Sequence, residues 1–236
     1  MFPLRDSIPS SRKPVVNTLI IGACVAVFGY ELMLGPGLEE FFVAYGFVPV
    51  RLFHPGAFEV GVLTNVKTLV FSMFMHGGWL HLIGNMWFLW VFGDNVEDCL
   101  GHGAYLVFYL ASGAAAAIGQ AVVAPMSNVP MVGASGAIAG VLGAYLLWFP
   151  WSRVKTAVFL GIFFTIAEIP APVFLVLWFV IQFFSGTLSL ATASAGGGGV
   201  AWFAHVGGFV TGLIVAWSLR RFGQVTPCTR KSLYLE

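Results

Sequence analysis

The sequence predicts an all-α membrane protein, a bundle of six transmembrane helices with both termini cytoplasmic. Three observations predict it. Of 236 residues, 58% are hydrophobic and 9% charged, whereas charged residues make up roughly a quarter of a soluble domain. Mean hydropathy is +0.89, and apolar runs recur from Val15 to Leu219, which leaves little chain for a large extramembrane domain. The basic residues, finally, are unevenly divided among the connections. A net charge of +1 with no basic stripe argues against nucleic acid as a partner. Cys24, Cys99 and Cys228 lie far apart with no CxxC pair, so neither a disulfide framework nor a metal site starts from them.

A helix needs about 20 mainly apolar residues to cross a hydrocarbon layer roughly 30 Å thick. Six windows approach this length: 15–34, 79–96, 103–124, 133–151, 171–188 and 200–219. The first follows Arg12 and Lys13 but is too long for a signal-peptide core and lacks a small-x-small cleavage site, so it is expected to be retained. Residues 35–78 are too many for a simple connector. Their apolar stretches, 41–50 and 66–75, are too short to span and are expected to form a partly embedded flap on the outer side. The connection at 98–102 is short. Residues 156–167 are apolar but number only about 12 before Glu168-Ile-Pro-Ala-Pro172 interrupts them, which places them at the interface or within the protein. The last connection, 189–199, ends in four consecutive glycines and is expected to be mobile.

An even number of spans puts both termini on one side. Arg5, Arg12, Lys13, Arg153, Lys155, Arg220, Arg221, Arg230 and Lys231 then share that side, and only Arg51 and Lys67 fall on the other. By the positive-inside rule the first group is cytoplasmic. This divides the chain into an N-terminal tail at 1–14, a membrane domain at 15–220 and a C-terminal tail at 221–236. No Arg- and Ser-rich transit peptide precedes the first span, which favours a bacterial or archaeal plasma membrane, the inner membrane in a Gram-negative cell.

Polar residues inside a bilayer are costly and therefore informative, although many only join helices. Ser135 begins the fourth span, and His205 lies about five residues into the sixth, which runs in the same direction. At 1.5 Å per residue both sit roughly 3 to 8 Å below the outer boundary. Gly136, Gly140 and Ala144 on one helix, and Gly208, Gly212 and Ala216 on the other, have the spacing that allows close approach. A serine beside a neutral histidine has a base for its proton, so the pair is a candidate nucleophile and general base. The ten carboxylates all fall in loops, tails or helix ends. The pair is therefore a dyad, its imidazole oriented by packing or backbone contacts. His81 and Asn85, at i and i+4, share one helical face at the same depth and can donate hydrogen bonds to an oxyanion together with the Ser135 backbone N–H. Metal binding by His76, His81 and His205 is the weaker reading, with no HExxH and no acid at hand, and no cofactor is implied.

The segments His76-Gly-Gly-Trp-Leu-His81-Leu-Ile-Gly-Asn85, Phe92-Gly-Asp-Asn-Val-Glu97, Gly133-Ala-Ser135-Gly136 and Ala204-His205-Val-Gly-Gly208 resemble the rhomboid family of intramembrane serine proteases across roughly residues 15–220. The resemblance implies Ser135 as nucleophile, His205 as general base, His81, Asn85 and the Ser135 N–H at the oxyanion hole, and a structural role for Glu97. His76 matches a recurrent family histidine, and Gly133 and Gly136 flank the serine as supporting positions. It implies transmembrane protein substrates in the lipid bilayer, admitted by movement of the fifth span and the last loop. Many relatives stack an aromatic on the catalytic histidine from four residues after the serine, where this chain has Ala139, and the family's first-loop Trp-Arg pair is absent. Two other readings use the same residues: a non-catalytic holder of membrane clients, and a small channel or transporter. The channel lacks ionisable residues in the inner halves of the fourth and sixth spans. Nothing in the sequence indicates oligomeric state.

Overall fold

The computed structural model describes residues 2–54, 56, 61–160, 163–192 and 201–223. Six long helices dominate: α1 (Val15–Met33), α5 (Trp79–Leu100), α6 (His102–Val123), α7 (Ser135–Trp148), α8 (Ala171–Thr192) and α9 (Trp202–Arg221). Of these, α1, α6 and α9 are long and apolar enough to cross a membrane by composition alone, and α7 is a shorter apolar helix. Large apolar side chains are left exposed on the helices, among them Leu19, Trp90, Val107, Val122 and Ile214. That is the surface a lipid-facing bundle presents.

The expected flap between the first two long helices contains α2 (Leu38–Tyr45), α3 (Pro49–Phe53) and α4 (Val62–Phe71). It is stitched to the segment that precedes α7: Phe47 and Met131 exchange backbone bonds of 3.1 and 2.7 Å, and the Val50 N–H donates to Ser127 O. A single residue, Gly101, joins α5 to α6, at φ +76°, a conformation that favours glycine. The connection expected at 189–199 is shortened by α8, which continues to Thr192, and its glycines lie outside the described residues. Residues 224–236 of the C-terminal tail also lie outside them.

The all-α expectation is corrected by a three-stranded antiparallel sheet in the order β1 (Phe2–Asp6), β2 (Arg153–Leu160), β3 (Phe163–Pro170). The described residues of the apolar stretch at 156–167 belong to two paired antiparallel strands, β2 and β3. Its β-branched and aromatic residues suit paired strands, and pairing satisfies backbone groups that a buried loop would leave open. The hairpin's first strand takes β1 as a neighbour, with Asp6 opposite Val154 and Arg5 opposite Lys155. Residues 2–6, read as tail, therefore belong to the packed structure.

Buried polar groups lock the ends of the helices. The N-cap position of α1, Pro14, offers no side-chain bond, and Glu97 of α5 accepts from Val16 N and Asn17 N at 2.9 and 2.7 Å. A carboxylate there also meets the positive end of the helix dipole. The same carboxylate holds His102 Nδ1 at 2.5 Å. Asn17 donates to Leu89 O and accepts from Tyr105 OH, joining α1, α5 and α6.

Helices α7 and α9 pack most closely. A Cβ placed on Gly208 would strike the Gly136 carbonyl, and one on Gly212 the Gly140 backbone. The small-residue rows read in the sequence thus face each other. This contact sets the distance between the residues at the N-terminal ends of the two helices.

Candidate active site

Ser135 is the first residue of α7, and His205 is the fourth of α9. Because those helices touch backbone to backbone, the side chains meet across the seam: His205 Nε2 lies 2.7 Å from Ser135 Oγ. The other ring nitrogen, Nδ1, lies 2.5 Å from Gln182 Oε1 on α8. An amide oxygen can only accept, so Nδ1 carries the proton and Nε2 presents its lone pair to the serine hydroxyl. That is the tautomer a general base requires.

The ring of His205 is therefore held by a side-chain amide, where the sequence suggested packing or backbone contacts. Trp178 of α8 and Trp202 of α9 also flank it, at ring-centroid distances of 6.0 and 5.9 Å. These rings surround the imidazole although Ala139 is small and lies buried in the seam beside Gly208. Sequence reasoning missed Gln182. Its signal was present, since it is the sole amide in the apolar window 171–188.

His81 and Asn85 occupy the N-terminal half of α5 and line the same cavity of about 940 Å³ as Ser135, Gln182 and His205. The Gly77 N–H donates to His81 Nδ1 at 3.3 Å, which leaves the proton on Nε2. That edge of the ring faces Gly133, where an added Cβ would come within 2.7 Å of Nε2 and 3.8 Å of Ser135 Oγ. Gly133 stands at φ +127°, so both its backbone and the ring against it favour glycine. Asn85 Nδ2 donates to His81 O at 2.9 Å, and a second N–H remains on the same nitrogen.

The remaining expected residues support the pair from a distance. His76 is buried behind His81, with ring centroids 5.2 Å apart. Its backbone N–H donates to the Glu31 carboxylate at 3.2 and 3.3 Å. Gly136 lies in the three-way contact of α6, α7 and α9, where a Cβ would sit 2.7 Å from that of Ala116. Below Ser135, α7 is buried among apolar groups through Val141, Leu142 and Ala144. The cavity thus lies at the end of the bundle where α7 and α9 begin, with the packed side chains of α7 beneath Ser135.

This arrangement can activate a hydroxyl and place hydrogen-bond donors beside it. A family model described as the rhomboid domain matches residues 63–222. The chain is similar to the chloroplastic rhomboid-like protein 11 of Arabidopsis thaliana, with 28% identity over 200 residues, 78% of this chain and 61% of that protein. It is similar to the rhomboid protease GluP of Bacillus subtilis, with 34% identity over 135 residues, 57% of this chain and 24% of that one. With the rhomboid protease GlpG of Yersinia enterocolitica it shares 30% identity over 228 residues, 95% of this chain and 70% of the relative. The chain spans less than two thirds of the length of the first two of these.

Proposed function

The chain belongs to the rhomboid family, and from that premise we propose that it is an intramembrane serine endopeptidase acting through Ser135 and His205. The observation that carries the reading is the 2.7 Å contact between Ser135 Oγ and His205 Nε2, with Nδ1 already taken by Gln182.

In the proposed reaction a substrate's transmembrane segment unwinds near its outer end and presents a peptide carbonyl to Ser135. The hydroxyl proton passes to His205 Nε2 as Oγ bonds to the carbonyl carbon. The negative charge that develops on the carbonyl oxygen is met by the Ser135 backbone N–H, a free Asn85 N–H and His81 Nε2–H. His205 then returns its proton to the leaving amine, and water repeats the sequence on the acyl-enzyme. Water can reach this site because it lies at the outer end of the bundle beside a large cavity. Six spans, with the sheet end and both termini in the cytoplasm of a cell bounded by a plasma membrane, are part of the same proposal. Seven of the Lys and Arg side chains, Arg5, Arg12, Lys13, Arg153, Lys155, Arg220 and Arg221, lie toward the sheet end, as the positive-inside rule requires.

The test is cleavage of a panel of single-span substrates by the reconstituted chain, paired with covalent labelling by a fluorophosphonate. Ser135→Ala is expected to fold normally and to lose cleavage by about 10⁴-fold or more, and labelling is expected to need both Ser135 and His205. Undiminished cleavage by Ser135→Ala would end the protease reading. Binding of substrates without labelling or cleavage would favour a client-holding protein instead.

A further inference from the structure

The sheet end carries a second cleft, distant from Ser135, with a volume of about 360 Å³ and lined by Arg5, Asp6, Arg153, Lys155 and Glu168 among others. Its composition follows from strand register. Successive residues of a strand face opposite ways, and cross-strand partners face the same way. Arg5 pairs with Lys155, Lys155 with Glu168, and Arg153 lies two residues before Lys155. One face of the sheet therefore gathers three cations and one carboxylate. The opposite face carries Val154 and Thr156 into the core, with Asp6 beside Val154. The Asp6 carboxyl is engaged by Tyr145 OH and by Asn95 Nδ2, the latter at 2.9 Å, so the cleft holds three cations against at most two carboxylates. Among the described residues the ion pairs are Arg12–Asp98 and His102–Glu97, and none involves Arg5, Arg153 or Lys155. The cleft is left with an excess of positive charge.

The depth of this face points to the ligand. Asp6 bonds to Asn95 near the end of α5, whereas Pro3 O accepts from Trp87 Nε1 at 2.5 Å, eight residues further into the helix. At 1.5 Å per residue β1 climbs α5 by about 12 Å. The charged residues thus sit near the helix ends. Further along the face that holds Lys155 and Glu168 come Ile166 and Phe164, at 48% and 58% exposure, level with the middle of α5 or beyond. A cationic cleft at the interface leads into an exposed apolar strip at acyl depth.

We infer that this cleft binds the headgroup phosphate of an anionic phospholipid, with Arg5, Arg153 and Lys155 around the phosphate and an acyl chain along Ile166 and Phe164. Basic pockets at a membrane surface attract anionic lipids with a strength that grows with each cation. Arg side chains add forked hydrogen bonding to phosphate oxygens.

The full chain is examined by native mass spectrometry in detergent micelles doped with phosphatidylglycerol or with phosphatidylcholine, and occupancy of the first lipid adduct is read. Phosphatidylglycerol is expected to exceed phosphatidylcholine, and the double variant Arg153→Gln/Lys155→Gln to lower its occupancy on the order of tenfold. The same-end control Arg220→Gln/Arg221→Gln is expected to retain binding. Equal loss in both variants would mean general attraction to a basic end, and no loss in either would place the lipid elsewhere. Displacement by excess inorganic phosphate as readily as by phosphatidylglycerol would assign the cleft to a free ion. Each of these three results overturns the proposal. All four substituted positions lie on the surface or its margin, so the fold is expected to survive.

Discussion

The bond from His205 Nδ1 to Gln182 Oε1 decides which nitrogen faces the serine. A serine–histidine pair without an acid still needs the imidazole in one tautomer, because a ring protonated at Nε2 offers Ser135 a donor instead of a base. Gln182 supplies that selection from α8. Gln182→Leu is expected to lower kcat roughly tenfold, the value of one buried hydrogen bond, with KM little changed, and to slow fluorophosphonate labelling in parallel. Gln182→Glu keeps an acceptor at Nδ1 and is expected to recover most of the labelling rate. Equal labelling by Gln182→Leu and the parent chain would reduce the residue to packing. At Gly133, alanine is expected to displace His81 and weaken oxyanion stabilisation, lowering kcat about 10- to 100-fold while Ser135 still labels.

At the scale of elements, the seam between α7 and α9 is what allows two short side chains to touch. Replacing Gly208 or Gly212 with valine forces a branched side chain into the Gly136 or Gly140 backbone, which cannot yield as a flexible side chain would. Each substitution is expected to cost about 2 kcal/mol or more, read as a lower midpoint of thermal unfolding in detergent, and to abolish labelling of Ser135 as the helices part. Gly22→Ala in α1, where nothing lies within 4 Å of the added carbon, is expected to leave both measurements unchanged. The seam was readable in the sequence because GxxxG spacing has one physical meaning in a bilayer: carbonyls and small groups can pack where side chains are missing. The hairpin was not readable as such. Its apolar run of about a dozen residues satisfies a short buried helix and a pair of strands equally well until a pairing partner is known, and that partner, β1, lies about 150 residues away in the chain.

Across the whole molecule, the sheet ties the N-terminal segment to the bundle through Asp6, which contacts Tyr145 of α7 and Asn95 of α5. Burial, opposed by the Tyr145 hydrogen bond, raises the Asp6 carboxyl from 3.8 to about 7. Between these values the folded chain holds a proton that the unfolded chain releases, so stability from this group is fully present below about pH 4 and declines as pH rises through about 7. The unfolding midpoint is expected to fall between pH 5 and pH 8, and Asp6→Asn to flatten that fall; an unaltered slope in the variant would exclude Asp6 as its source. Composition and apolar periodicity determined by themselves that this chain is a helical membrane protein, because hydrocarbon admits few alternatives to a hydrogen-bonded helix. The motif spacings also singled out Ser135, His205, His81 and Asn85, since polar residues are rare at such depth. Tertiary structure alone decided that Gln182 orients the histidine, that Asp6 anchors a sheet, and that three cations share one cleft. Each of these depends on distances between segments far apart in the chain, and local pattern carries no information about which distant segment will arrive.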